Sequence, residues 1–519
     1  MRTTLPFLLI PAAVVLAGCH ARPPAGGAAQ ARSAVLMVPV LKGLPQNPVL
    51  RIEVDIPAGA GADVLESVAC TLGAGSEALV ASAGLWRTDT ADFVRPERLG
   101  GAAVTGGSFV LAAGATLPPG RHQLWVTLDP SAGARAGDRI RFAATGLTLR
   151  GAAARRRMLR LDGGMAAYRV GSVVRRAGDD GVHTYRIPGI VATDKGTLLA
   201  VYDIRYRNSR DLPGDVDVGL SRSTDGGRTW APMQVIMDMG APHENNGVGD
   251  PAILFDPVRK RTWVAALWSK GNRSIAGSRP GLSPDTTGQF VLAWSDDDGQ
   301  SWSAPYTITP QVKDPAWHLF FQGPGNGIAM QDGRLVFAAQ YWDENRMPWS
   351  TLIHSADHGA TWQGRIRGPR SNTTEAQVVE TAPGTLMLNM RDNRKGSRAV
   401  AVTADLGATW AEHPTSRSAL PEPVCMASLI RATVKVGGLP RELLFFSNPR
   451  STKARVDMTV QASPDLGATW PEAHRLLVDQ RLCYGYSSLV RIDDATVGLL
   501  YEGSGDLYFI PIPVADIVQ

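Results

Sequence analysis

The sequence predicts an all-β protein, an N-terminal β-sandwich followed by a six-bladed β-propeller. Three observations carry that expectation. Glycine and proline are abundant, 55 and 36 of 519 residues, while 44% of the chain is hydrophobic and only 19% charged. Ample core material with so many turn-forming residues favours short strands over helices. Apolar and polar residues alternate with period two in the first third of the chain, and an eight-residue motif returns five times in the rest.

The chain opens with Arg2 and an apolar run from Leu5 to Ala17, interrupted by Pro6 and Pro11. That run is too short to cross a bilayer, which takes about 20 residues, and fits a signal-peptide core. It ends in Leu16-Ala17-Gly18-Cys19, which resembles a bacterial lipobox, so residues 1–19 are expected to be a signal peptide with Cys19 as the lipidated residue. With His20 after the cysteine, an outer-membrane position is the expectation. Residues 20–33, rich in Ala, Gly and Pro, read as a tether. Residues 34–150 show the alternation of half-buried strands. Leu50, Ile52, Val54 and Ile56 alternate with Arg51, Glu53 and Asp55, and turns such as Pro118-Pro119-Gly120 intervene. This is the pattern of a sandwich. Residues 151–164, with three alanines then three arginines, read as a linker or a single helical turn.

From residue 165 to 519 the organising feature is the repeat Ser/Thr-x-Asp-x-Gly-x-Thr/Ser-Trp, centred on Asp225, Asp297, Asp357, Asp405 and Asp465. The Asp can accept bonds from turn amides, the Gly can adopt a conformation closed to other residues, and the Trp can pack beside the hairpin. Repeats about 50–70 residues apart match propeller blades. A sixth, unboxed unit would close the ring from sequence near Tyr168 and from Leu507 to Val514. Such turns are structural staples and say little about activity.

Composition excludes several classes. A net charge of +5 over 519 residues is no nucleic-acid signature. The cysteines at 19, 70, 425 and 483 form no CxxC, and the nine histidines form no paired ligand pattern, so neither a metal nor a cofactor is expected. Without Cys19 three thiols remain, and a Cys425–Cys483 pairing stays open. Gln322-Gly323-Pro324-Gly325-Asn326-Gly327 is glycine-rich but lacks the Lys-Ser/Thr of a phosphate cradle.

Polar groups that the staple does not require are the candidates for chemistry. Arg186 lies in Tyr185-Arg186-Ile187-Pro188, Arg205 ends the apolar stretch from Leu198, Arg391 ends Leu386 to Met390, and Arg455 precedes Met458-Thr459-Val460. An arginine abutting an apolar strand is costly to desolvate unless an anion meets it. Four of them in separate blades suggest an anion site on the propeller axis.

Together with Arg-Ile-Pro and the repeated Asp boxes, Glu375-Ala376-Gln377-Val378-Val379-Glu380, Asn389-Met390-Arg391 and Leu500-Tyr501-Glu502 resemble the exo-α-sialidases of bacteria and animals over residues 165–519. The N-terminal segment is similar to the β-sandwich that precedes some secreted bacterial members. The resemblance implies that Arg186, Arg391 and Arg455 grip the sialic acid carboxylate, that Glu502 buttresses Arg186, and that Arg205 and Asp250 contact the O4 side of the sugar. It implies Asp211 as general acid/base, Tyr486 as nucleophile and Glu375 as the base for its hydroxyl. A neutral phenol suits an anomeric carbon that already bears a carboxylate, which would repel an anionic nucleophile. Rivals remain at this point: Tyr484 for Tyr486, Glu380 for Glu375, and Asp203, Asp215 or Asp217 for Asp211. The expected reaction is removal of terminal α-ketosidic sialic acids from glycoproteins, glycolipids or oligosaccharides with retention. Partners would be sialylated glycoconjugates and, through Cys19, a membrane. Transfer of sialic acid to another sugar, or within the substrate, would use the same residues, whereas a purely glycan-binding propeller would lack one or more of them.

Overall fold

The computed structural model describes residues 28–151 and 154–518. The expected signal peptide, Cys19 and residues 20–27 of the expected tether lie outside those residues.

Alternation in the first third produces two sheets. One has the strand order Gln30–Val35, Pro48–Ile56, Gly120–Pro130, Val80–Thr88 and Glu97–Ala103. The other packs Ser108–Leu117, Asp63–Leu72 and Arg139–Arg150 side by side. Leu50, Ile52, Val54 and Ile56 point into the shared core with Leu65, Val68, Leu111, Phe142 and Leu147, while Arg51, Glu53 and Asp55 keep contact with water. This is period-two burial on a sheet with one wet face.

Two boundaries differ from expectation. The end of the expected tether is strand: Gln30–Val35 pairs antiparallel with Pro48–Ile56, and Ala31 and Val35 pack on the core. Small residues that look like a spacer suffice here because the neighbouring strand supplies the hydrogen bonds. The expected linker also contains a strand, Arg156–Arg160, paired with Arg139–Arg150. Its arginines mask an alternation in which Arg157 and Leu159 are half-buried and Arg156, Met158 and Arg160 exposed.

Among the described residues, six sheets then succeed one another, each starting from an inner strand and working outward by antiparallel pairing. The inner strands are Thr184–Ala192, Val248–Asp256, Leu319–Gln322, Thr373–Ala382, Ser428–Val436 and Ser487–Arg491. Contacts between successive sheets close into a ring, because Ser487–Arg491 also touches Thr184–Ala192. The last sheet takes its fourth strand from Ala166–Arg175, whose Ser172 and Val173 pair with Phe509 and Tyr508. The first half of the same strand pairs with Arg139–Arg150 and buries Tyr168 in the sandwich core.

All five Asp boxes lie after the third strand of a sheet and share one geometry. In the first, Asp225 Oδ1 accepts the Arg228 and Thr229 amides at 3.0 Å, Oδ2 accepts the Thr229 hydroxyl at 2.6 Å, and the Gly227 amide donates to Ser223 Oγ at 2.8 Å. Gly227 sits at φ 85°, where a side chain would also strike the Phe509 ring. Trp362 and Trp470 are buried, while Trp230, Trp302 and Trp410 are half-buried at the sheet margins.

Candidate active site

The polar candidates converge on one mouth of the ring because the inner strands all present the same end there. Irregular backbone aims several of them. The pairing of Thr184–Ala192 slips between Arg186 and Gly189, with Ile187 at φ 57°. That of Val248–Asp256 slips around Asp250, at φ 56°, and that of Thr373–Ala382 slips around Glu375. A bulge turns a side chain out of its regular alternation, here toward the axis. The result is a cleft of about 340 Å³ lined by Arg186, Asp211, Asp250, Glu375, Arg391, Arg455 and Tyr486.

Glu502, fully buried, organises one wall. It accepts Arg186 Nε at 3.0 Å and Nη2 at 3.3 Å, the Ile187 amide at 2.9 Å and the Tyr486 amide at 2.9 Å. Burial works against the Arg186 charge, but Glu502, Tyr486 and Asp211 together outweigh it and push the pKa up. From the same anchored segment the Tyr486 hydroxyl donates to Glu375 Oε1. Arg391 Nη1 bridges the two, donating to Glu375 Oε2 at 2.5 Å and to the Tyr486 oxygen at 3.0 Å. Burial, then the Glu375 charge, raise the Tyr486 pKa well above its ordinary value, so the resting phenol holds its proton. Arg455 is fixed by Tyr484 O at 2.7 Å and Val424 O at 3.3 Å, with its guanidinium carbon 5.7 Å from the Tyr486 ring centre. Arg391 Nε is buried with no partner among the described residues. Three guanidinium groups with donors to offer can clamp a planar carboxylate.

Asp211 stands across the cleft on the loop after Leu198–Arg205. Its side chain is 75% exposed, with Arg205 Nη1 at 2.7 Å and Arg186 Nη1 at 3.7 Å. Desolvation would raise its pKa, but Arg205 and then Arg186 outweigh that, and the carboxyl titrates below the usual range. Asp250 is the reverse case: burial, then the like charges of Asp203 and Asp211, push its pKa well up.

The rivals are sorted by position. Tyr484 makes no bond to Glu375; its ring lies under Arg186, 4.8 Å from the guanidinium carbon. Glu380 lines a separate cavity of about 840 Å³ at the other end of the inner strands, where it accepts the Gln331 and Gly384 amides. Asp203 is held by Arg205 and the Asp250 amide, Asp215 by Arg207, and Asp217 by the Tyr206 hydroxyl. Arg205 departs from expectation: it shares a sheet with Arg186, so the four arginines do not come from separate blades. It is buried behind Asp211, its donors engaged by Asp203, Ser209 and Asp211, and it does not line the cleft with the loop in this position.

Cys425 and Cys483 are free thiols, and burial pushes that of Cys425 to about 12. Sequence reasoning missed the cleft walls formed by Leu212, Ile275, Phe321 and Trp342. Ile275 comes from a long insertion between Arg261–Trp268 and Gln289–Ser295, and no local pattern marks it. Asp203 was visible only as a rival, though it anchors both Arg205 and Asp250.

An anion clamp beside an exposed carboxylate and a carboxylate-bonded phenol, all on a propeller, define a β-propeller glycoside hydrolase. Residues 196–499 match the BNR repeat-like domain. A sialidase of Bacteroides fragilis is 47% identical over 422 residues, covering 80% of this chain and 77% of its own. A Micromonospora viridifaciens sialidase is 36% identical over 343 residues, 64% of this chain and 52% of its own. The solved Hadza microbial sialidase Hz136 superposes with a TM-score of 0.87 at 40% identity, over 94% of this chain and 100% of that one. The chain belongs to the sialidase family, and its chemistry is hydrolysis of sialic acid linkages.

Proposed function

We propose that the chain is a retaining exo-α-sialidase acting on terminal sialic acids of glycoproteins, glycolipids or oligosaccharides. Arg186, Arg391 and Arg455 bind the substrate carboxylate. Tyr486 attacks the anomeric carbon while its proton passes to Glu375, and Asp211 protonates the departing glycosidic oxygen. Asp211, now a base, then takes a proton from the water that displaces Tyr486, and the phenol recovers its proton from Glu375. The observation that carries this reading is the Tyr486–Glu375 hydrogen bond, bridged by Arg391.

The test separates acid from nucleophile. An aryl sialoside leaves with little protonation, whereas a natural glycan leaves as a poor alkoxide. Asp211→Ala therefore loses roughly 10²–10⁴-fold on sialyllactose and far less on the aryl substrate. Tyr486→Phe loses activity on both. A 3-fluorosialyl fluoride labels Tyr486, read by peptide mapping; a label on Glu375, or equal losses on both substrates for Asp211→Ala, refutes the roles. We further propose that the protein is exported and held at the outer membrane by a lipid on Cys19. Cys19→Ala then moves it to the soluble fraction with unchanged specific activity, and a correctly processed variant that stays on the membrane refutes the anchor.

A further inference from the structure

Beneath the cleft lies an ion pair sealed from solvent. The side chains of Arg398 and Glu422 are both 0% exposed, with Arg398 Nη1 2.9 Å from Glu422 Oε2. Burying two charges carries a large desolvation penalty, and apolar residues of similar volume often stabilise as well or better. Stability is therefore a poor reason for the pair, and its other bonds indicate a different one.

All but one of those bonds go to the backbone that carries the site. Arg398 Nη2 donates to the Asn389 carbonyl at 3.0 Å and, more weakly, to the carbonyl of Glu375 itself at 3.5 Å. Its Nε holds Asn389 Oδ1 at 2.7 Å. Glu422 Oε1 accepts the Asp392 amide at 3.0 Å, so the pair grips main-chain groups on both sides of Arg391. Arg398 Nη1 also donates to the Cys425 carbonyl at 2.8 Å, and Glu422 Oε2 accepts the Cys425 amide at 3.3 Å. The residue before Cys425 is Val424, at φ 58°, whose carbonyl receives Arg455 Nη2 at 3.3 Å. One buried pair thus ties together the segments presenting Glu375, Arg391 and the support of Arg455.

We propose that Arg398 and Glu422 are positioning residues, setting the spacing between Glu375 and two of the carboxylate-binding arginines without touching substrate. The inference rests on the roles proposed for those three residues. A displacement on the order of 1 Å in such a constellation lowers rates about 10²-fold.

The experiment compares wild type, Glu422→Gln, Arg398→Lys and the apolar double variant Arg398→Met/Glu422→Leu, with Leu292→Ala as a destabilised control at a core residue that does not line the cleft. Melting temperature, kcat and KM on sialyllactose, and a crystal structure are obtained for each. Hydrolysis by the wild type decides the functional reading by itself. The crystal structures, which need no turnover, decide whether the pair sets the spacing of Glu375, Arg391 and Arg455. The expected result is that the double variant keeps its melting temperature, loses about tenfold or more in kcat/KM through both a raised KM and a lowered kcat, and shows Glu375 and Arg391 displaced from Tyr486. Arg398→Lys restores part of the activity relative to the double variant. Where the double variant itself fails to fold, Glu422→Gln, at a lowered melting temperature because it leaves Arg398 unpaired, carries the same expectation for kcat/KM and for the positions of Glu375 and Arg391. Unshifted Glu375 and Arg391 with kcat/KM within threefold of wild type overturns the proposal. So does an activity loss that the Leu292→Ala control matches at equal loss of stability.

Discussion

The charge on Asp211 poses a question that single side chains answer. The general acid proposed in Asp211 must carry a proton, yet Arg205 and Arg186 hold this carboxyl below its ordinary pKa. On the proposed roles, a sialoside brings its own carboxylate to Arg186, Arg391 and Arg455, and that negative charge offsets the field that keeps Asp211 ionised. The sign follows directly. A lowered pKa favours the deprotonated form, so activity that needs the protonated acid is lost as pH rises, and it is lost earlier in the free enzyme than in the complex. The alkaline limb of kcat/KM, which reports the free enzyme, should therefore lie at lower pH than the alkaline limb of kcat. Profiles measured on sialyllactose check this. Coincident limbs, or a separation that persists in Asp211→Asn, refute it. At this scale the sequence was informative where a residue type is demanded by chemistry: Tyr486, Glu375, Glu502 and the three clamp arginines meet at one place. It was silent where position depends on a long insertion, as for Ile275, or on the pose of a loop, as when Asp211 lies over Arg205.

At the scale of the element, the Asp box shows why the propeller was legible. A turn that needs an acceptor, a left-handed residue and a large aromatic anchor within eight residues leaves a local signature, and five copies make it unmistakable. Asp297 and Asp405 quantify the demand. In Asp297 the hydroxyl and amide of Ser301 outweigh a desolvation that acts the other way, and in Asp405 the Thr409 hydroxyl dominates; both carboxyls titrate at about 2. The unfolded value is near 3.9, so the folded pKa is depressed. The stabilisation is then fully present above that value and disappears as pH falls toward 2. Asp297→Ala should accordingly lower Tm at pH 6, and the gap to wild type should narrow between pH 4 and pH 2. A gap independent of pH would show that the turn depends on shape and not on the ionised acceptor. Strands without such chemistry were harder to read. Gln30–Val35 and Arg156–Arg160 look like spacer and charge run because the information that makes them strands sits in their partners, Pro48–Ile56 and Arg139–Arg150.

Across the whole molecule, the division into sandwich and propeller fails at the seam. Ala166–Arg175 serves both sheets, and Val40–Lys42, from the sandwich half of the sequence, pairs parallel to its propeller side. Leu41 is completely buried, not with its sequence neighbours but in the propeller core with Phe445, Val460, Leu499 and Ile510. Met37 and Gln480 exchange hydrogen bonds at 2.8 and 2.9 Å, and Asp516 receives Arg139 and Arg169 from the sandwich side. Chains of this size commonly unfold domain by domain, but here neither half can open without stripping core from the other. Calorimetry should therefore give one transition for the two halves. Leu41→Ala tests the seam itself: deleting a buried leucine costs about 2–5 kcal/mol, and the whole transition should move down in temperature without splitting. Two resolved transitions, with only the propeller shifted by Leu41→Ala, would mean that the halves fold independently and that Leu41 fills space in the propeller without coupling them.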